Sequence, residues 1–198
     1  MKGGPMSFWT FVGEIFRANK TTGALAPSSP ALADCITDLA PLKDAKVIVE
    51  FGPGTGVFTE YIQKKKRPDA YFLSMEINPV FAKATKERCP DVNVVQDSAE
   101  NTLKYLKEAG YDSCDVIISG LPWTRFEDEL QDKLLDATYE CLRNKGKFLT
   151  FAYFFSPWVP SGKKFLKYKL PKKFNNKYSR SPIILKNFPP CHVYICEK

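Results

Sequence analysis

The stretch that decides the fold runs Val47-Ile-Val-Glu-Phe-Gly-Pro-Gly-Thr-Gly-Val-Phe-Thr59. Its first five residues are apolar apart from Glu50 and rich in valine and isoleucine, which predicts a buried strand. Three glycines follow at alternate positions, and an amphipathic helix pattern comes next. Glycines between a strand and a helix let the backbone approach a ligand closely and expose amides at the helix N-terminus. The stretch therefore predicts a strand–loop–helix unit that binds a small ligand.

The spacing of these glycines distinguishes the loop from two common phosphate-binding loops. A dinucleotide-binding fingerprint has the pattern GxGxxG, whereas this loop is GxGxG and follows an acidic residue, Glu50. A P-loop is excluded because no Gly-Lys-Ser/Thr follows the glycines. The Glu50 carboxylate would repel a pyrophosphate, but it can form hydrogen bonds with a cationic ligand.

Strand and helix patterns alternate from residue 45 onwards. Strands are predicted at Lys46–Phe51, Ala70–Met75, Val92–Val95, Cys114–Ser119 and Lys147–Phe154, and helices at Val57–Lys65, Val80–Arg88, Ala99–Ala109 and Glu127–Arg143. This alternation predicts βαβ units and a parallel sheet covered on both faces. Two further β-rich runs, Ile183–Asn187 and Cys191–Cys196, are too close in sequence for a parallel crossover, so we expect them to pair antiparallel at the sheet edge.

Polar residues follow the predicted strands at the edge where open α/β sheets bind ligands. The second strand is followed by Glu76, whose carboxylate can accept hydrogen bonds from both hydroxyls of a ribose. Asp97 follows the third strand and can accept a hydrogen bond from an adenine amine. The fourth strand leads into Leu121-Pro122-Trp123. We therefore predict that these loops form one site.

The net charge of +7 is concentrated in one part of the chain. Residues 161–180 hold eight basic residues and no acidic one, and aromatic residues are interleaved with them. Such a patch would face a polyanion, either nucleic acid or the anionic face of a membrane. A solvated lysine-rich loop is the remaining alternative.

The N-terminal region predicts two helices before the α/β core begins. Ser7–Asn19 has a broad aromatic-rich face, and Pro30–Leu39 follows with Ser29 as its cap and Pro30 at its first position. We divide the chain into residues 1–44, an amphipathic helix and substrate-side cap, and residues 45–198, the core with a basic insertion at about 157–180.

Composition excludes several classes of protein. A chain of 198 residues with 44% hydrophobic residues suits one globular core. The sequence contains no run of 18 apolar residues, so no transmembrane helix is predicted. The N-terminus lacks the pattern of a secretory signal. Six scattered cysteines without a CxxC pair are typical of reduced thiols in the cytosol. The single histidine, His192, argues against a histidine metal site or a Ser-His-Asp hydrolase, and we predict no metal.

Together these motifs resemble the class I S-adenosylmethionine-dependent methyltransferases over about residues 44–198. The resemblance implies a Rossmann-like fold with a mostly parallel seven-stranded sheet and an antiparallel edge strand. It also implies S-adenosylmethionine as the cofactor. The residues that match its cofactor motifs are Glu50, Phe51, Gly52, Pro53, Gly54, Thr55, Gly56, Glu76, Ile77, Asn78, Asp97, Ser98, Ala99, Ser119, Gly120 and Leu121.

A narrower resemblance covers about residues 7–196. The patterns Thr21-Thr-Gly-Ala-Leu-Ala-Pro-Ser-Ser-Pro30, Ser119-Gly-Leu-Pro122 and Asn187-Phe-Pro-Pro-Cys-His-Val-Tyr194 resemble those of soluble bacterial phospholipid N-methyltransferases. That resemblance implies methylation of phosphatidylethanolamine towards phosphatidylcholine. Ornithine-lipid N-methyltransferases are similar and form the alternative. Ribosomal RNA adenine dimethyltransferases share the Leu-Pro-aromatic motif, but Gly120 replaces the asparagine that holds their adenine amine.

The lipid resemblance implies the following roles. Ser28, Ser29, Ser119 and Tyr178 are candidates to orient the acceptor amine, and Pro122, Trp123, Tyr178, Arg180 and His192 are candidates to bind the substrate. The expected partners are an anionic membrane surface and an amino-phospholipid rather than nucleic acid. The aromatic helix and the lysine patch supply the two contributions to interfacial binding, apolar insertion and attraction to anionic headgroups. We therefore expect a cytoplasmic protein attached peripherally to a membrane.

Overall fold

The computed structural model describes residues 28–198. Its strands are β1 Val47–Phe51, β2 Tyr71–Met75, β3 Asn93–Val95, β4 Cys114–Ser119, β5 Leu142–Tyr153, β6 Tyr178–Arg180 and β7 Cys191–Glu197. They form one sheet in the order β3-β2-β1-β4-β5-β7-β6. Strands β1 to β5 are parallel, and β7 runs antiparallel to both β5 and β6. The predicted Rossmann-like α/β fold is confirmed, whereas the helix predicted over residues 7–19 lies outside the described residues.

The helices follow the predicted alternation. They are α1 Pro30–Leu39, α2 Val57–Lys65, α3 Pro79–Arg88, α4 Thr102–Glu108, α5 Asp128–Cys141, α6 Pro160–Lys164 and α7 Leu170–Lys173, with a π-helical turn, Phe165–Lys169, between the last two. Ser29 caps α1 as predicted, because its Oγ accepts a hydrogen bond from the Leu32 amide at 3.1 Å.

The sheet separates two hydrophobic clusters, as the continuous apolar strands require. Along β1, Val49 packs into one cluster and the neighbouring Ile48 into the other. The Val49 cluster takes in α4, α5 and the helical segment from residue 160, whereas the Ile48 cluster takes in α1, α2 and α3. Helix α1 therefore shares a core with the sheet, and both faces are covered. This packing leaves the carboxyl ends of the parallel strands and the loops after them to form a site.

The strand predicted at Ile183–Asn187 is wrong. Within that run only Ile184 forms a β-bridge, to Cys191, and the edge strand beside β7 is instead Tyr178–Arg180. Ile183 is 42% exposed and Leu185 73% exposed, whereas Ile184 between them packs against the Ile48 cluster, so only one of the three apolar residues faces the core. Local β propensity was overridden because the pairing edge of β7 is taken by β6.

The basic stretch is helical as far as Lys173 and ends in β6, and part of its charge is neutralised. Lys169 lies 2.9 Å from an Asp132 carboxylate oxygen, and Lys173 lies 2.5 Å from Asp136. Lys164 forms a third ion pair, with Asp128. The three aspartates are four residues apart on α5 and therefore share one face of that helix. The stretch is thus not a uniform basic patch, because three of its cations point at an acidic helix.

No helix in the part of the chain that the structure describes has both the length and the hydropathy to span a bilayer.

Candidate functional site

The glycine-rich loop has the open backbone that its sequence predicts. Gly52, Gly54 and Gly56 have φ angles of 66°, 60° and 79°, in the left-handed region that favours glycine. A Cβ atom added to Gly54 would meet no atom within 4 Å, so this part of the loop borders open space. The Gly54 amide donates a hydrogen bond to Glu76 Oε2 at 3.2 Å, which ties the loop to the end of β2.

Glu76 lies at the carboxyl end of β2 and is only 6% exposed. Its Oε1 accepts a hydrogen bond from the Asn78 amide at 2.8 Å. Burial raises the pKa of the Glu76 carboxyl, although the backbone amides of Asn78 and Gly54 oppose that shift. The arrangement fixes a carboxylate beside the glycine loop.

Glu50 is completely buried at the end of β1. Its Oε2 accepts hydrogen bonds from the hydroxyls of Thr59 and Ser74, each at 2.8 Å. Oε1 has no hydrogen-bond partner among residues 28–198. Burial raises the pKa of Glu50 to about 7. Because this pKa lies close to neutral pH, a small change in the surroundings of the carboxyl changes its charge.

Asp97 follows β3 and is held by its neighbours. Its carboxylate accepts hydrogen bonds from the Tyr105 hydroxyl at 2.8 Å, the Asn101 side chain at 3.0 Å and the Ser98 amide at 2.7 Å. Partial burial acts to raise the pKa of Asp97, but the hydrogen bonds from Tyr105 and Asn101 outweigh it and keep that pKa below its usual value. Asp97 is therefore an oriented, ionised acceptor.

The turn after β4 is built around a close backbone approach. The Gly120 amide donates to the Phe51 carbonyl at 2.8 Å. Ser119 Oγ accepts from Trp123 Nε1 at 2.9 Å, and the Trp123 ring stacks on Phe165 with centroids 5.1 Å apart. Ser119 and Trp123 therefore hold the turn in place, and Trp123, only 1% exposed, forms a wall rather than an open platform.

A cavity of about 460 Å³ lies at these carboxyl ends, within the range typical of small-molecule sites. Fifteen of the predicted site residues line it: Ser28, Gly52, Pro53, Gly54, Thr55, Glu76, Ile77, Asn78, Asp97, Ser98, Ala99, Gly120, Leu121, Pro122 and Trp123. The structure does not bring the others into its wall: Ser29, Glu50, Phe51, Gly56, Ser119, Tyr178, Arg180 and His192.

Four of these residues are engaged elsewhere. The Ser29 side chain caps α1. Tyr178 and Arg180 lie exposed on β6 at the far edge of the sheet, where Arg180 stands opposite Tyr194 of β7. His192 Nδ1 lies 3.0 Å from the Ser181 carbonyl oxygen. None of the four lines the cavity, so their predicted roles stay predictions.

Sequence reasoning missed one side of the cavity. The turn after β4 and the end of β5 contribute Thr124, Arg125, Phe126, Phe151, Ala152 and Tyr153 to its wall. Tyr153 is the last residue of β5, so the rule that ligands bind at the carboxyl ends of parallel strands points to it. Arg125 comes two residues after the Leu-Pro-Trp motif, and only its position in the cavity distinguishes it from other surface cations.

A family model described as "Methyltransferase domain" matches residues 48–146. Over 196 residues the chain is 29% identical to an ornithine lipid N-methyltransferase from Singulisphaera acidiphila, covering 96% of this chain and 95% of that protein. A dimethyladenosine transferase from Chaetomium thermophilum is 26% identical over 110 residues, which is 55% of this chain and 28% of that protein.

Two solved structures are similar in fold. The O-methyltransferase from Bacillus cereus in complex with SAH superposes with a TM-score of 0.67 at 13% identity, covering 93% of this chain and 90% of that one. The O-methyltransferase TomG from Streptomyces achromogenes in complex with SAM gives 0.64 at 15% identity, covering 94% and 89%.

Proposed function

We propose, from the premise that this chain belongs to the methyltransferase-domain family, that it methylates the amine of an amino lipid. It is an S-adenosylmethionine-dependent methyltransferase with a Rossmann-like fold. The lipid acceptor is the proposal. One observation carries it: the similarity to the ornithine lipid N-methyltransferase extends over 96% of this chain rather than over the cofactor-binding half alone.

The residues in the cavity fit S-adenosylmethionine. The open side of Gly54 leaves room for a ligand against the backbone, and three acidic side chains, Glu76, Asp97 and Glu100, line the same cavity. They suit a ligand that carries positive charge and two ribose hydroxyls. Glu76 would hold the ribose, Asp97 the adenine, and the glycine loop the methionine portion. When bound, the cofactor supplies a methyl group activated by its sulfonium.

The chain's own contribution to the reaction is positioning and exclusion of water. An amine attacks only in its neutral form, because an ammonium has no lone pair. The apolar walls given by Phe126, Phe151 and Leu134 disfavour the charged form of a buried amine, which lowers its pKa. They therefore help the acceptor to enter in its reactive state.

The comparisons favour the ornithine-lipid alternative over phosphatidylethanolamine, which the sequence analysis put first. The whole-length relative acts, by its name, on an ornithine lipid, so we propose a lipid of that class as the preferred acceptor. Both lipids present a primary amine near an anionic group, a carboxylate in one and a phosphodiester in the other.

An RNA acceptor is the second candidate, because the dimethyladenosine transferase also matches. That similarity is confined to 55% of this chain. It also leaves the Gly120 difference unexplained, since glycine offers no side chain to hold an adenine amine. We therefore rank RNA below lipid.

For the membrane surface we propose an apolar patch beside the cavity: Phe154, Trp158, Val159, Ile183, Leu185 and Phe188. Trp158 is 76% exposed and Phe188 87% exposed. The Phe154 amide donates to the Pro190 carbonyl at 2.9 Å, which joins the two loops, and Phe154 directly follows the cavity residue Tyr153. Large exposed apolar groups are typical of interaction sites.

The charge around this patch suits an anionic bilayer. Lys163 on α6 and Lys186 in the loop before β7 are exposed, and neither has an ion pair among residues 28–198. Exposed aromatics flanked by cations combine apolar insertion with attraction to anionic lipid. An anionic bilayer at this patch would bring lipid headgroups to the mouth of the cavity.

The acceptor can be identified by competition. Purified protein is incubated with labelled S-adenosylmethionine and vesicles containing equal amounts of ornithine lipid and phosphatidylethanolamine, with ribosomal RNA present. We expect label in the ornithine lipid first and none in RNA. Label in RNA alone would reverse the proposal, and label in phosphatidylethanolamine alone would restore the first expectation of the sequence analysis.

A further inference from the structure

The cavity wall contains an arginine that forms no ion pair with residues 28–198. Arg125 ends the short 3-10 turn Trp123–Arg125 and lines the cavity. Among residues 28–198 the arginine ion pairs are those of Arg67, Arg88 and Arg143, so the Arg125 guanidinium has none there, and it makes no hydrogen bond with residues 28–198 either. Lys164, Lys169 and Lys173 contrast with it, because they are paired with α5.

The backbone that carries Arg125 is rigidly held. The Arg125 amide donates to the Pro122 carbonyl at 2.9 Å. The buried Gln131 side chain donates to the carbonyls of Trp123 at 2.8 Å and Phe126 at 3.1 Å, one on each side of Arg125. A cation on a fixed turn loses less conformational entropy on binding than one on a mobile loop.

Tyr153 lines the same cavity and offers a second donor. Its ring stacks on Phe155 with centroids 5.6 Å apart and an interplanar angle of 17°. Its hydroxyl has no hydrogen-bond partner among the described residues. Burial raises the pKa of Tyr153, although the positive charge of Arg125 opposes the shift. The phenol therefore stays protonated at neutral pH and can donate.

The sheet order divides the polar groups of the cavity by charge. Glu76 and Asp97 follow β2 and β3 on one side of β1, whereas Arg125 and Tyr153 belong to the ends of β4 and β5 on the other side. The acidic side suits the cofactor. The opposite side carries a guanidinium and a phenol hydroxyl, two groups that can donate to an anion.

We propose that Arg125 and Tyr153 form an anion-binding subsite for the acceptor. The subsite rests on the proposed function: the guanidinium and the phenol bind the oxyanion that the lipid carries near its amine, whether a carboxylate or a phosphodiester. Arginine suits either group, because its planar donors match two oxygens at once. Held by its anion, the headgroup presents its amine to the cofactor side of the cavity, and an amine lipid without an anion is discriminated against.

Steady-state kinetics test the subsite with Arg125→Gln, Arg125→Lys and Tyr153→Phe. Lys43→Gln is the matched control, because Lys43 is exposed just before β1, away from the carboxyl ends of the strands. In mixed micelles we expect Arg125→Gln to raise the KM for the lipid at least about tenfold, the effect of losing one charge-assisted hydrogen bond. The kcat should change little, since Arg125 does not touch the reacting atoms. Arg125→Lys should raise the KM less than Arg125→Gln does, because it keeps the positive charge. Tyr153→Phe should also raise the KM less than Arg125→Gln does.

The substrate series distinguishes the source of the anion. The acceptors are ornithine lipid, phosphatidylethanolamine and a long-chain alkylamine that lacks an anion. Wild type should prefer the anionic lipids, and Arg125→Gln should lose that preference. An unchanged preference, with a KM within twofold of wild type, would overturn the subsite.

A binding measurement separates failure of the subsite from failure of the proposed function. Glycerophosphoethanolamine and N-acetylornithine are titrated into wild type, Arg125→Gln and Lys43→Gln and followed by NMR. We expect binding to wild type and to the Lys43 variant and at least about tenfold weaker binding to the Arg125 variant. If wild type binds these probes but methylates no lipid, the proposed function fails and the subsite stands. If wild type binds neither probe, or the Arg125 variant binds as well, the subsite is wrong.

Discussion

A Cβ atom placed on Gly120 would lie 2.5 Å from the backbone carbonyl oxygen of Gly52. The obstacle is main chain in the glycine loop, so it cannot rotate aside as a side chain would. The turn after β4 and the cofactor loop thus touch through glycine, which gives a structural reason for the residue that departs from the adenine dimethyltransferase motif.

Gly120→Ala and Gly120→Asn should therefore damage the cofactor site. Because the glycine loop must move, the free energy of unfolding should fall by about 1–3 kcal/mol, which thermal unfolding measures. The affinity for S-adenosylmethionine should fall at least about tenfold, which calorimetry measures. Gly110→Ala is the control for backbone strain without a clash: with φ at 85° it should lower stability, but a Cβ there meets no atom within 4 Å, so cofactor binding should not change. A Gly120→Asn variant that binds cofactor normally would show that no such contact constrains the turn.

Glu76→Ala should weaken cofactor binding at least about tenfold, since a charge-assisted hydrogen bond contributes about 1.5–3 kcal/mol. Glu76 lines the cavity, and backbone amides on both sides orient it. The control is Glu87→Ala on the exposed face of α3. Isothermal titration gives the two dissociation constants; equal values for wild type and Glu76→Ala in a folded protein would remove Glu76 from the site.

The raised pKa of Glu50 predicts that the free energy of unfolding depends on pH. Its pKa rises from 4.5 to about 7 on folding, so the folded state binds a proton that the unfolded state releases. The stability that this proton contributes is complete below pH 4.5 and is lost as pH rises to about 7. Relative to Glu50→Gln, the free energy of unfolding of the cofactor-free wild type should fall by about 3 kcal/mol across that window. Denaturant titrations at a series of pH values measure the difference, and parallel curves would contradict it.

Trp158→Ser combined with Phe188→Ser should weaken vesicle binding at least about tenfold, because complete burial of one large apolar side chain contributes about 1.5–3 kcal/mol. Val80→Ser is the matched control, since Val80 is 58% exposed on α3. Co-sedimentation with anionic vesicles reports binding. Unchanged sedimentation of the double variant would place the membrane surface elsewhere in the chain.

The ion pairs of the basic segment predict two separable effects of lysine substitution. Lys173→Gln should lower stability modestly, by up to about 1 kcal/mol for a partly exposed pair. Lys169→Gln should lower it more, because the Lys169 side chain is only 11% exposed. Both should leave vesicle binding nearly unchanged. Lys163→Gln and Lys186→Gln should weaken vesicle binding, and more so at low salt, because the Debye length falls from about 10 Å at 0.1 M to about 3 Å at 1 M. If both pairs of substitutions reduce sedimentation equally, the aspartates of α5 do not neutralise the segment.

The sequence predicts the fold well where local and tertiary preferences agree. Helix α2 and strand β4 begin and end at the predicted residues, because apolar periodicity, glycines and burial all favour the same structure. The prediction of a strand at Ile183–Asn187 was wrong, because an apolar run does not show which segment pairs with the free edge of β7.

The cofactor side of the site follows from motifs that lie at the ends of strands, and so most of its residues line the cavity. The acceptor side depends on tertiary neighbours. No sequence pattern shows that Lys169 pairs with Asp132 while Arg125 lines the cavity without an ion pair to any of residues 28–198. Tyr153 could have been predicted from the sequence, because the rule that ligands bind at the carboxyl ends of parallel strands applies to β5 as it does to the first four strands.

The central claim is that the methyl group goes to the nitrogen of a lipid. The most direct measurement uses S-adenosylmethionine labelled with ¹³C on the methyl group, followed by lipid extraction and NMR of the product, with Glu76→Ala as the control. We predict an N-methyl signal in the extracted ornithine lipid that the control lacks or shows far more weakly. Label confined to RNA, or found only as an O-methyl group, would contradict it.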